Sequence, residues 1–299
     1  MMKRLALLGV VACAAMAHAQ ADSATTWGRR YTDLFWDDHL NAISAHFTPK
    51  MREAMDSAKF AAVREQIRGQ LGAKQYVITE TESRHAPFTV YDQLIEVAQI
   101  TQPIDVRWAF DSVGGIAGFF ILPSPLSEAV SAFLDYQTKT ALRLPFTGEW
   151  QVLWGGRTLS QNRHASSPDQ RFAYDFVTKD GSCLGRPVLA PGDGKVVDLV
   201  DSVADSAALG NYVVIDHGNG EFSFLAHLER GSVALTRGQP VRQGDQVGRC
   251  GTHLQYHMQS TPSFMVGAGM PAQFQHYVAD GTPIDRGEPI RGQSVRSAQ

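Results

Sequence analysis

The chain has 299 residues, with 27 Lys plus Arg against 30 Asp plus Glu and a formal net charge of -3. No block of like charge interrupts it, which excludes the basic footprint of a nucleic-acid binder or of a protein drawn to anionic membranes. The length predicts roughly two domains of ordinary size.

The first element is a leader. "MMKRLALLGVVACAAMAHAQ" opens with basic Lys3 and Arg4, runs apolar from Leu5 to Met16, and places small Ala17 and Ala19 around His18. This is the pattern of a secretory signal over residues 1–19, and its apolar run is too short to span a bilayer comfortably. Cleavage after Ala19 is expected. A rival reading takes "VVAC" as a lipid-attachment box on Cys13, at the cost of an unusually short signal. The remainder is expected to be exported, periplasmic or secreted, with no transmembrane segment. It keeps Cys183 and Cys250, too widely spaced for a zinc-binding CxxC, and an even pair in an oxidising compartment is expected to bridge.

From Ser23 to Leu71 apolar residues recur at helical steps, first Trp27, Tyr31, Leu34 and Phe35, later Phe60, Val63 and Ile67. Thr48 and Pro49 interrupt the pattern and Gly72 ends it; three helices are expected in this unit. "QYVITETES", "FTVYDQLIEVAQ", "IDVRWAFDS" and "GIAGFFILP" then read as a strand meander. Helices followed by strands give an α+β unit over residues 20–125, with Trp27, Trp36 and Trp108 in its core. "LPSPLSEA" is the exit, and residues 126–143 are expected to be a linker. From 144 to 285 glycines punctuate short apolar runs, as in "GRPVLAPGDGKVVDLV" and "GNYVVIDHGNGEFSFLAHL". That texture predicts an all-β, antiparallel sandwich or barrel-like domain. Residues 286–299 are expected to be a flexible tail.

Candidate chemistry collects in the second half. In "GRCGTHLQYHMQSTP", His253, Gln255 and His257 stand at alternate positions and share one strand face. His164 and Asp175 in "NRHASSPDQRFAYDF", His217 in "VIDHGNG" and His227 in "FLAHLERG" complete the set. A catalytic zinc takes three protein ligands from His, Asp and Glu and keeps one position open. Taken singly, each of these residues is weak evidence, since a His near a turn is more often solvated. His217 fits a structural role in a turn between paired strands.

The order of motifs, from N-x-H with "DQRFAYD" through "GRPVLAPGDGKVV", "GNYVVIDHGNGEFSFLAHL" and "RGQPVRQGDQVGRCG" to "HLQYHMQSTPSF", resembles the lysostaphin-like zinc metallopeptidases over about Leu144 to Asp280. Those are secreted enzymes that cut peptide cross-bridges in peptidoglycan. The resemblance implies that His164 and Asp175 bind zinc and that His227 and His253 are catalytic. It puts Gln255 where relatives place the third ligand, and Gly251 and Thr252 where they have a longer glycine- and asparagine-rich loop. An amide oxygen is a weaker donor to zinc than imidazole. His257 lies one pleat further on the same face, and a two-residue slide of the strand would bring it to the ligand place. The expected metal set is therefore His164, Asp175 and His257, with Gln255 hydrogen-bonded within the cleft, and one zinc that is weakly held or lost. Two functions stay open. One is a zinc endopeptidase acting on peptidoglycan peptides; the other is a degenerate, zinc-free module that binds peptidoglycan or activates other cell-wall hydrolases. The first domain resembles small nuclear-transport-factor-like modules, which implies a spacer or docking role.

Overall fold

The computed structural model describes residues 23–100, 102–204 and 209–298. The Ala19 cleavage and the Cys13 reading lie outside the described residues. The chain divides into two units: the described part of Met1–Arg64 with Thr81–Asp92 and Arg107–Phe119, and Glu65–Glu80 with Gln93–Val106 and Phe120–Gln299.

The first elements are α1 (Ala24–Trp36), α2 (Leu40–Ser44), α3 (Pro49–Ala54) and α4 (Ser57–Leu71). Among the described residues up to Leu71 there are four α-helices rather than three. Asp38, at φ 65°, breaks the first run, and Thr48–Pro49 is a start signal, with the Thr48 side chain accepting from Met51 N and Pro49 in the first turn. Gly72, at φ 76°, follows α4 in the left-handed conformation that costs glycine nothing. The strands β1 (Lys74–His85), β2 (Phe88–Val97), β3 (Ile104–Phe110) and β4 (Ile116–Pro123) lie in sheet order β1-β2-β3-β4, the expected meander. Trp36 and Trp108 are buried, and Trp108 donates to Thr32 Oγ1 at 2.9 Å, while half-buried Trp27 packs edge-on against Phe110.

The second unit carries β5 (Glu149–Trp154), β6 (Tyr174–Val177), β7 (Pro187–Leu189), β8 (Gly194–Val200), β9 (Asn211–Asp216), β10 (Phe222–Leu228), β11 (Pro240–Val241), β12 (Gln246–Gln259), β13 (Gly269–Met270), β14 (Phe274–Ala279), β15 (Thr282–Gly287) and β16 (Ser294–Ser297). They form one sheet in the order β11-β8-β9-β10-β12-β6-β5-β16-β14-β15, with β7 and β13 also on β12, and the pairings are antiparallel. Alternation sorts the side chains. Tyr174, Phe176, Leu225, Leu254, Tyr256 and Met258 enter the main core, so Asp175, Phe224, Ala226, Gln255 and His257 take the opposite face.

Two stretches differ from expectation. The C-terminal residues are not a free tail: β16 pairs with β5 and buries Val295 completely, an anchor that a single apolar residue among polar ones does not advertise. Residues 126–143 are not a loose linker either. Leu142 is fully buried, Thr138 N donates to Gln273 Oε1 at 2.7 Å, and Glu221 accepts from Tyr136, Lys139 and Thr140. Cys183 and Cys250 are bonded, with Cα atoms 5.7 Å apart. Neither is therefore a free thiol nucleophile. Among the described residues no helix is long and apolar enough to cross a membrane.

Candidate active site

His164 rides on a 3-10 turn, Arg163–Ser166, that Asn162 builds. The fully buried Asn162 accepts from His164 N through Oδ1 at 3.0 Å and donates through Nδ2 to Gly156 O and Arg171 O, at 3.2 and 3.1 Å. Buried Arg171 donates to Ala165 O at 3.1 Å, so the turn is held from both sides. The result is a fixed imidazole on a short, otherwise unstable element.

Asp175 is the centre of the cluster. Flanked in β6 by core-facing Tyr174 and Phe176, it is fully buried on the opposite face. Its Oδ1 lies 3.1 Å from His164 Nε2 and 3.9 Å from His253 Nε2, and its Oδ2 accepts from Arg163 Nη2 at 2.8 Å. Burial alone would raise the Asp175 pKa. His164, Arg163 and His253 outweigh it and hold the carboxyl well below the usual carboxylate range.

His227 reaches this group through a break in the ladder. The pairing of β10 with β12 jumps from Ala226↔Gln255 to Leu228↔Cys250, so extra residues of β12 bulge out where relatives are expected to have their longer loop. β12 runs through Gly251 and Thr252 as one strand. His227 itself takes φ 57°, an uncommon conformation for a non-glycine residue, and its ring comes within 4.4 Å of the His253 ring, centroid to centroid, at 34°. Strain of that kind collects at functional sites.

The register places Gln255, not His257, directly across from Asp175. Gln255 Nε2 donates to Gln170 Oε1 at 2.8 Å. His257 stands opposite Phe224 and stacks on it at 4.6 Å and 14°. No hydrogen bond joins it to Asp175 or His164. Its Nε2 lies 3.3 Å from Gln259 Oε1, an acceptor, so Nε2 carries the proton and Nδ1 keeps its lone pair. That Nδ1 is buried without a hydrogen-bond partner. Burial pushes the His257 pKa down to about 4. Gln259 in turn donates to Thr261 O and Ser263 O, at 2.8 and 2.7 Å, and shapes the loop that follows β12.

The structure therefore gathers His164, Asp175, His227 and His253, and leaves His257 one pleat away. His217 is structural, bridging Asp193 O at 2.7 Å and Ser223 Oγ at 2.8 Å, its pKa lowered by burial. Asn162, Arg163, Gln170 and Gln259 were missed as functional positions. All four stood in the quoted motifs: Asn162 opens N-x-H and Gln259 lies on the alternate face after His257, whereas nothing in "NRHASSPDQRFAYDF" marked Arg163 or Gln170. A cavity of about 570 Å³ lined by Trp150, Lys179, Arg186 and neighbours holds none of the candidate residues.

Among the described residues, no three His, Cys, Asp or Glu side chains stand in metal-ligating geometry. The donor chemistry nonetheless suits zinc. Ligands about 2.0–2.2 Å from one tetrahedral ion lie roughly 3.3–3.6 Å apart, close to the 3.1 Å between His164 Nε2 and Asp175 Oδ1. His257 Nδ1 is a neutral lone pair whose sister nitrogen is fixed by an amide oxygen, the tautomer-setting contact that zinc-bound imidazoles make.

One glycine packs closely against the segment that bears Gln170. A Cβ at Gly269 would lie 2.7 Å from Asp169 O and 2.9 Å from Arg171 N, both backbone atoms that cannot swing away. Gly269→Ala is expected to displace the segment bearing Gln170 and to destabilise the domain by about 1–3 kcal/mol. A denaturant midpoint equal to that of the parent would contradict this.

Residues 173–266 match the family described as Peptidase family M23. Over 126 residues the chain is 34% identical to the peptidoglycan DD-endopeptidase ShyA of Vibrio cholerae serotype O1, a match covering 39% of this chain and 26% of that protein. The chain thus spans about a quarter of the relative's length. Among solved structures, the NMR structure of lysostaphin is 21% identical, with a TM-score of 0.26 over 32% of this chain and 39% of that one. The deep-sea M23 metalloprotease pseudoalterin is 14% identical, with a TM-score of 0.33 over 48% of this chain and 83% of that one. What the family match and the 34% identity establish is that the C-terminal half of this chain contains a lysostaphin-like domain of peptidase family M23.

Proposed function

We propose that the M23 domain is a zinc-dependent endopeptidase acting on peptide cross-links of peptidoglycan, exported through its leader. The observation that carries this is the convergence of His164 and His253 on one oxygen of buried Asp175, with the His227 ring tilted against that of His253 at 4.4 Å. His164, Asp175 and His257 would hold the metal. Bound zinc polarises the scissile carbonyl and brings the pKa of water toward about 7. Asp175, kept ionised by His164 and Arg163, would supply the negative charge that fixes the ion and orients His164. His253 and His227 face one another and not the core. They hold a proton within reach of the leaving nitrogen and donate to the oxygen that gains charge. The first domain serves as spacer or docking module.

The test is metal content by mass spectrometry together with hydrolysis of cross-linked muropeptides. The parent is expected to carry one zinc, less tightly than a chain with a histidine at position 255. Metal and hydrolysis should fall together in His164→Ala, Asp175→Ala and His257→Ala, stay near the parent in Gln255→Ala, and rise in Gln255→His. A His257→Ala chain that keeps its zinc removes His257 from the ligand set. A parent without zinc or hydrolysis, beside a Gln255→His chain that gains both, would replace the enzyme by the zinc-free binding module.

A further inference from the structure

We infer that Arg163 makes this site selective for peptides that carry a free carboxylate within one residue of the scissile amide; the inference deepens the endopeptidase reading and rests on it. Arg163 adjoins His164 on the turn that Asn162 caps, so its backbone is placed as firmly as that of the imidazole. Its Nη2 is pinned to Asp175 Oδ2 at 2.8 Å. The two partners differ sharply in exposure: the carboxylate is fully buried, whereas 40% of the arginine side chain is open to solvent.

A guanidinium has five N–H donors and no acceptor. Asp175 takes one, and no other protein group accepts from Arg163 among the described residues. Donors of the planar fork are therefore left over on a part-exposed side chain whose bound nitrogen meets the same carboxylate as His164 and His253. Clamping one nitrogen has already removed much of the freedom that a flexible cation loses on binding. The matching partner for a planar fork is another carboxylate, which it can take through two parallel bonds. Arg171, the other arginine near the turn, is buried and directed to Ala165 O, so it cannot serve. Reach sets the position of the substrate group. One residue of extended peptide spans about 3.3–3.6 Å, so a carboxylate on Arg163 lies on the residue at the scissile bond or on its neighbour.

Binding is the direct test, with turnover removed by His253→Ala in the full-length, zinc-loaded protein. The probes are two D-alanyl cross-linked muropeptide dimers that differ only in a carboxylate or a carboxamide beside the cross-link, followed by titration calorimetry. The carboxylate form is expected to bind about 10- to 100-fold more tightly, the range for a charge-assisted hydrogen bond. Adding Arg163→Gln should bring the ratio near one by weakening the carboxylate form alone, and Arg163→Lys should recover part of it. A ratio near one with Arg163 present, or a ratio that Arg163→Gln leaves unchanged, overturns the inference. Melting curves of both Arg163 variants identify a misfolded chain, and the lysine variant then decides. A parent that shows the ratio but never cleaves sinks the endopeptidase reading instead, so the two failures are told apart.

Discussion

Glu221→Ala is expected to lower the unfolding free energy of the β domain by about 3–5 kcal/mol and to release residues 136–140 to proteolysis. Glu221 is fully buried at the start of β10, and its two oxygens accept from Tyr136 Oη at 2.8 Å, Lys139 N at 2.6 Å, Thr140 N at 2.9 Å and the Thr140 hydroxyl. Removing the carboxylate leaves several part-buried donors without an acceptor at once, and each costs about 1–3 kcal/mol. Glu221→Gln keeps the shape and one acceptor oxygen, so it should lose less. Burial raises the Glu221 pKa, but the bonds from Thr140, Lys139 and Tyr136 more than reverse this and hold it below the usual value. A depressed folded pKa means stabilisation that is present above the unfolded carboxyl pKa, about 4.3, and is lost as pH falls through the folded value. Acid unfolding should therefore bring the variant and parent together at low pH. A variant as stable as the parent at pH 7 would show that the strap contributes nothing. For the same reason a fragment starting at Leu126 should be more stable than one starting at Leu144, which discards all of the donors to Glu221.

The second large effect concerns rate rather than stability. His253→Ala and His227→Asn are each expected to lower kcat by about 10²–10⁴-fold, the usual share of a positioned proton donor, with metal content unchanged. Asparagine is the better replacement at 227 because it tolerates the left-handed backbone that histidine holds there at φ 57°. The two rings lie 4.4 Å apart and act on the same leaving group, so the double variant should be little worse than either single one. Turnover within tenfold of the parent in both variants would remove the pair from the chemistry.

Part of the fold and of the candidate site is legible in the sequence. The alternation in "THLQYHMQ" placed Gln255 and His257 on one face because a strand has a period of two, and the structure keeps that face. The meander from β1 to β4 followed from β-branched and aromatic runs between turn residues. What could not be read depended on tertiary pairing. The left-handed turn at Asp38 hides in a pattern whose apolar spacing looks continuous. The bulge that turns His227 toward His253 arises because β10 and β12 contribute unequal numbers of residues, a property of two distant segments together. The partners Arg163 and Gln170 needed Asp175 and Gln255 in place before their polar ends had a meaning. The strand at Ser294–Ser297 needed β5 beside it.

β12 also governs how the site moves. Its 14 residues are paired by β10 and β6 around the candidate residues and by β7 and β13 toward its two ends, and Cys250 ties it covalently to Cys183. Amides from Leu254 to Met258 should exchange with solvent deuterium only through global unfolding, orders of magnitude later than those of the loop from Ser260 to Ala268. A bound peptide can then slow exchange in that loop but not beneath His253 and His257. The entropy of ordering this part of the site is lost during folding, before any ligand arrives.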